Sequence, residues 1–117
     1  MRKYILILFY LSTLYSCASS IKRANKCHEN LKFKSTLFKE IAIVEQYTLE
    51  QKTPGKKRII TESEFLNSIT FITKYSNIQV VGIYNYQVGY KSIEDFNIDK
   101  RKWIDWYQKN KCNNIKL

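Results

Sequence analysis

Cys27 and Cys112 bracket almost all of the chain that follows its apolar start, and a bond between them would force the two ends of any fold to meet. Pairing them closes a loop of 86 residues. Closing so long a loop removes enough chain entropy from the unfolded state to stabilise the fold by about 4–5 kcal/mol at best. For a small domain that is comparable with the whole free energy of folding. Thiols stay reduced in the cytosol and pair after export, so the bond depends on where the chain goes. A metal site made of Cys27, Cys112 and His28 is the competing reading. It has three ligands, no Cys-x-x-Cys pair and no second histidine, so a disulfide between Cys27 and Cys112 is expected and a metal is not. His28 is expected to be solvent-exposed beside it.

The first residues supply the compartment. Arg2 and Lys3 precede an apolar run from Tyr4 to Tyr15, and Leu14-Tyr15-Ser16-Cys17 follows on from it. This basic–apolar–small order is that of an export leader. A helix over the run spans only about 18 Å, against about 30 Å of hydrocarbon, so it is too short for a comfortable membrane span. Leucine three before Cys17 and serine just before it resemble the lipobox of bacterial lipoproteins, from which Tyr15 departs. The resemblance implies that residues 1–16 are a cleaved signal peptide and that the Cys17 thiol carries the lipid, palmitate included. An ordinary secretory signal cut near Ala18 or Ser20 is the alternative. With Cys17 lipidated, the basic residues Lys22, Arg23 and Lys26 would lie near anionic headgroups, each worth about 1 kcal/mol. No acidic run follows Cys17, which gives the expectation of a periplasm-facing domain in the bacterial cell envelope, tied to a membrane by its lipid. Residues 17–34 read as the lipidated cysteine and a polar tether, and 35–117 as one small domain.

Loss of residues 1–16 removes Arg2 and Lys3 and leaves eighteen basic against ten acidic residues, a net charge of +8. Aromatic residues make up 15 % of the chain, which gives a core of this size large apolar area per residue. One proline and three glycines exclude a flexible low-complexity segment.

Periodicity predicts a mainly α fold of three helices, with an irregular aromatic loop. In the first, from about Thr36 with Ser35 or Thr36 as cap, Leu37, Ile41, Val44 and Thr48 form a stripe that Phe38 and Tyr47 widen. β-Branched residues over 41–44 make a strand the alternative. The placing of Lys39, Glu40, Glu45 and Glu50 away from the apolar face favours the helix. Lys52-Thr53-Pro54-Gly55 reads as a turn leading into the basic triplet Lys56, Lys57 and Arg58. Thr61-Glu62-Ser63-Glu64 fits a capping box for a second helix with Phe65, Ile69, Ile72 and Tyr75 on one face, ending near Ser76-Asn77. Residues 78–90 read as the aromatic loop, in which Tyr84, Tyr86 and Tyr90 alternate and could form a sugar- or peptide-binding face or a semi-buried rim. Ser92 is expected to cap a short turn, and a third helix to run from about Asp99 to Asn110. Phe96, Trp103, Trp106 and Tyr107 form one stripe there, with Asp99 and Lys109 placed to favour the helix dipole.

Gly89-Tyr90, Phe96, Asp99, Trp103, Trp106-Tyr107 and Asn110-Lys111 resemble the closing segment of small bacterial extracellular proteins, some HEAT-like helical repeat proteins among them. The resemblance implies helical packing closed by Trp103 and Trp106 and implies no activity. The chain is too short for a repeat array.

The sequence holds no glycine-rich phosphate loop, no Gly-x-Ser-x-Gly and no His-Glu-x-x-His. Glu62, Glu64, Glu94, Asp95, Asp99 and Asp105 fit caps and solvent faces better than a catalytic pair. The expectation is a non-catalytic accessory or binding module of the envelope, without cofactor. Its partners would be the membrane and an envelope protein or anionic polymer rather than nucleic acid. A secreted basic protein that binds anionic polymers or lipids through Lys56, Lys57 and Arg58 is the alternative.

Overall fold

Asn30 starts the first helix, α1 (Leu31–Lys52), by accepting a hydrogen bond from the Phe33 N–H at 3.1 Å. This computed structural model describes residues 26–80 and 87–117. Cys17, the leader, the first part of the expected tether, Tyr84 and Tyr86 lie outside the described residues. The helix thus begins five residues before the expected Thr36. Ser35 and Thr36 do not cap it. Their hydroxyls donate back to the Lys32 carbonyl at 3.0 and 2.9 Å, as serine and threonine do inside a helix. The described end of the expected tether therefore belongs to the domain, since Phe33 is a buried core residue.

The second helix, α2 (Glu62–Ser76), has the expected capping box. Thr61 Oγ1 accepts from the Glu64 N–H at 3.2 Å, and the Glu64 carboxylate accepts from the Thr61 N–H at 2.8 Å. Asn77, at φ 54°, closes it in the left-handed conformation that asparagine tolerates. The third helix, α3 (Ile93–Asn110), is continuous. Ser92 caps the whole helix through the Asp95 N–H at 3.1 Å, not a separate turn. Asp99 therefore sits in the second turn, and it is buried.

Cross-helix contacts fix the arrangement. Tyr47 stacks on Phe65 with ring centroids 4.4 Å apart, while Phe33 meets Tyr75 at 4.9 Å, so α2 runs antiparallel to α1. Lys100 pairs with Glu45 at 2.9 Å and Tyr107 lies 6.4 Å from Phe33, so α3 is antiparallel to α1 as well. Two parallel helices need a return connection, and residues 77–91 make it. Its described end is held by Tyr47 Oη and Gln51 Nε2, which donate to the Val88 carbonyl at 3.1 and 2.9 Å. Gly89 has φ 131°, and a Cβ there would come within 2.5 Å of Gln51 Oε1. The positive φ is what calls for glycine; a Cβ would also push the Gln51 carboxamide aside from the Val88 carbonyl.

The core joins the stripes read from the sequence: Leu37, Ile41, Val44, Tyr47 and Thr48 of α1, Phe65, Ile69 and Ile72 of α2, and Phe96, Trp103 and Tyr107 of α3. Trp106, Phe38 and Tyr75 are half-buried against it. Phe33, with Phe71, Tyr75, Trp106 and Tyr107 around it, is the hub at the end where Asn30 meets Ile115.

Candidate functional site

Cys27 and Cys112 form a disulfide with their Cα atoms 4.5 Å apart. The chain brings them together through the Asn30 cap. Its Nδ2 donates to the Ile115 carbonyl at 2.8 Å, across 85 residues of sequence. His28 and Asn113 add a parallel backbone bridge beside the disulfide. Both cysteines and His28 are exposed.

The same end carries Glu29, which accepts a hydrogen bond from Tyr107 Oη and pairs with Lys34 Nζ at 3.3 Å. The tyrosine hydroxyl, followed by Lys34, holds the Glu29 carboxyl below the usual carboxylate range against the opposing effect of desolvation. Burial, followed by the hydrogen bond and the charge of Glu29, pushes the Tyr107 hydroxyl well up.

Two other carboxylates are buried. Glu50 does not face solvent as its helical position predicts. At the C-terminal end of α1 it accepts from the Ile59 and Ile60 N–H groups at 2.8 and 3.0 Å and from Gln46 Nε2 at 2.8 Å. Burial raises its affinity for a proton, but the Ile59 amide, Gln46 and the Ile60 amide together outweigh it and hold the carboxyl below its ordinary value. Glu50 thereby fixes the path of the basic loop into α2. Asp99 accepts from Tyr90 Oη at 3.0 Å and pairs with Lys102 at 3.3 Å. Burial, then the Asp99 charge, drives the Tyr90 hydroxyl far up.

Tyr90 is therefore not part of a binding face. It is 1 % exposed and packs edge-on against Phe65 and Phe96. Its direction is set by the buried partner at Asp99, nine residues on, which no alternation of tyrosines reveals. Lys56, Lys57 and Arg58 do lie on an exposed loop, between α1 and α2. That loop and the disulfide stand at opposite ends of α1, so the structure does not unite them in one site. Trp103 is fully buried, as expected of a core anchor.

Among the described residues no group of three or more histidine, cysteine, aspartate or glutamate side chains is placed to hold a metal ion. No described helix is long and apolar enough to cross a membrane. Sequence reasoning missed Asn30, Glu29, Glu50 and Asp99 as structural polar groups. An asparagine three residues ahead of Phe33, itself four before Leu37, was the available signal for the first. Comparison with known protein families, with curated proteins and with solved structures finds no match to the chain.

Proposed function

We propose that the chain is a membrane-anchored, periplasm-facing lipoprotein of the bacterial cell envelope, and that its helical domain is a non-catalytic accessory or binding module. The observation that carries this reading is the position of the disulfide. It joins the end of the domain to residues just ten positions after Cys17, so the point at which the chain enters the fold is locked to the core. A domain held at one place by a lipid gains from such a staple, and an exported chain can form it. The two fully enclosed carboxylates support a non-catalytic role, because hydrogen bonds to backbone, tyrosine, glutamine and lysine already engage them.

The test is metabolic labelling with radioactive palmitate. The wild-type chain is expected to take up label and to mature to the form beginning at Cys17. Cys17→Ser is expected to remain an unlabelled, uncut precursor. Label persisting in the variant, or a wild-type chain that matures without label, would defeat the reading.

The exposure of Lys56, Lys57 and Arg58 favours one addition: contact with an anionic envelope polymer through this loop. Affinity for such a polymer should fall steeply as salt rises, and indifference to salt would count against it.

A further inference from the structure

The net charge of the folded part of the chain is concentrated at one end. Three segments converge there: residues 26–34 leading into α1, 73–79 at the end of α2, and 108–117 at the end of α3. The disulfide, the Asn30–Ile115 hydrogen bond and the Phe33–Tyr75 ring contact bring them together. Residues 26–117 hold sixteen basic and ten acidic side chains. The three segments contain seven lysines and one glutamate, for a net charge of +6. Everything else in 26–117 balances, with nine of each sign. The glutamate is Glu29, already paired with Lys34. Lys26, Lys32, Lys74, Lys109, Lys111 and Lys116 remain, and none of them forms an ion pair with a carboxylate side chain among the described residues.

Apolar side chains stand among these lysines. Leu31 is 67 % exposed and Leu117 50 % exposed. Leu31 adjoins Asn30, whose side chain holds the Ile115 carbonyl, two residues from Leu117. Lysines around exposed leucines are the composition of a surface that lies in a membrane interface, with charge on phosphate and apolar tips just below it. Neither arginine of residues 26–117 is present at this end, although planar guanidinium groups are the usual readers of nucleic acid. The chain also continues from this end toward the leader. Lys26 lies nine positions after Cys17, a reach of at most about 32 Å.

We propose that this end of the bundle docks on a bilayer of anionic phospholipid, with the six lysines on headgroup phosphates and Leu31 and Leu117 at the headgroup–acyl boundary. The orientation rests on the anchoring proposed above. The docking itself requires only that the surface be anionic. The helices then stand away from the membrane. The 22-residue α1 carries Lys56, Lys57 and Arg58 about 33 Å from the docked end. That is several Debye lengths at physiological salt, so the triplet cannot hold lipid of the same bilayer and is left free for a soluble or wall-bound polyanion.

The experiment uses the full-length chain purified from membranes of an expressing strain. It is mixed with vesicles of phosphatidylcholine alone or with one third phosphatidylglycerol, and its lysines are modified with an amine-reactive ester and mapped by mass spectrometry. Co-flotation with neutral vesicles reports the anchor. Lysine protection in anionic vesicles reports the docking, whether or not the neutral vesicles float with protein. Lys32, Lys74, Lys111 and Lys116 should be modified at least threefold more slowly on anionic than on neutral vesicles, and Lys56 and Lys57 equally on both. High salt should abolish the difference. The paired variant Lys32→Glu/Lys116→Glu, at two exposed positions, should abolish the protection of Lys74 and Lys111 on anionic vesicles, since each basic residue near such a surface contributes about fivefold to its attraction. Equal modification on both vesicles, or protection of Lys56 and Lys57 instead, overturns the proposal. So does equal protection of the same lysines by a soluble oligonucleotide, which would assign this end to a polyanion and not to lipid.

Discussion

Removing the disulfide should cost this domain a large part of its stability while leaving its folded structure in place. The cysteines are 85 residues apart in sequence. Loop-closure entropy for that separation gives about 4.6 kcal/mol at 25 °C. The loss falls on the unfolded state, because the contacts that bring the ends together do not need the sulfur atoms. Asn30 still holds the Ile115 carbonyl, His28 still bridges Asn113, and Tyr107 still donates to Glu29. Both cysteines are exposed, so a reductant reaches the bond without unfolding. For a domain of this size a urea m-value of about 1–1.5 kcal/mol/M puts the midpoint roughly 3 M or more lower on reduction. The assay is urea unfolding, followed by tryptophan fluorescence, of the oxidised protein, the reduced protein and Cys27→Ser/Cys112→Ser. Far-ultraviolet circular dichroism without urea checks that the helices persist. A midpoint shift under about 1 M, with the helices unchanged, would refute the reasoning. It would mean that the unfolded chain keeps its ends together without the bond.

Four other outcomes can be measured on the same protein. Tyr90→Phe should cost about 1–3 kcal/mol, because it withdraws a hydrogen bond from the buried Asp99 carboxylate. Trp103→Phe should cost only about 1 kcal/mol for the smaller side chain, because among the described residues nothing accepts a hydrogen bond from the buried Trp103 Nε1. Urea midpoints that reverse this order would show the Tyr90–Asp99 bond to be worth little. In alkali, Tyr90 and Tyr107 stay protonated in the folded state well above the pH, about 10, at which they ionise in the unfolded chain. Their contribution to stability is complete below pH 10 and is lost as pH rises beyond it, so Tyr90→Phe/Tyr107→Phe should show a shallower alkaline loss than the parent. In acid, Glu29, Glu50 and Glu64 have carboxyls held below their ordinary value. Stability is then full above about pH 4.5 and falls as pH drops through their folded-state values, and Glu50→Gln should flatten that fall in a pH series of thermal melts.

The parts of this fold that could be read from the sequence are those decided within a few residues. Thr61 and Glu64 find each other across three positions, and the Phe96–Trp103–Tyr107 stripe is set by helical period alone. The start of α1 was misplaced because two adjacent hydroxyl residues mimic a cap, whereas Asn30 earns its place through a partner at Ile115. Glu50 shows the same limit. Helical spacing puts it outside the apolar stripe, and only the returning amides of Ile59 and Ile60 draw it in. For the candidate sites, exposure of the Lys56–Arg58 loop followed from Pro54-Gly55. Burial of Tyr90 did not, because it depends on Asp99, nine residues on in α3.

The charge distribution separates two readings that the total charge confuses. A net charge of +6 spread evenly over a domain of this size would bind any polyanion weakly and in no orientation. Here a neutral body carries its excess at the end where the chain enters, and a second cluster, Lys56-Lys57-Arg58, lies in a loop at the far end. The carboxylates that balance that cluster stand close to it. Glu50 lies under the loop and takes its amides, and Glu62 and Glu64 open the helix that follows. At the entry end the one glutamate is already paired. An anionic surface that meets the protein at random is therefore pulled toward the entry end first, and the loop contributes only at short range. Neutralising the loop should leave the long-range, salt-dependent part of association almost unchanged, while reversing Lys32 and Lys116 should remove most of it. If association rates with anionic vesicles respond the other way round, charge at the entry end does not govern how the domain meets a membrane.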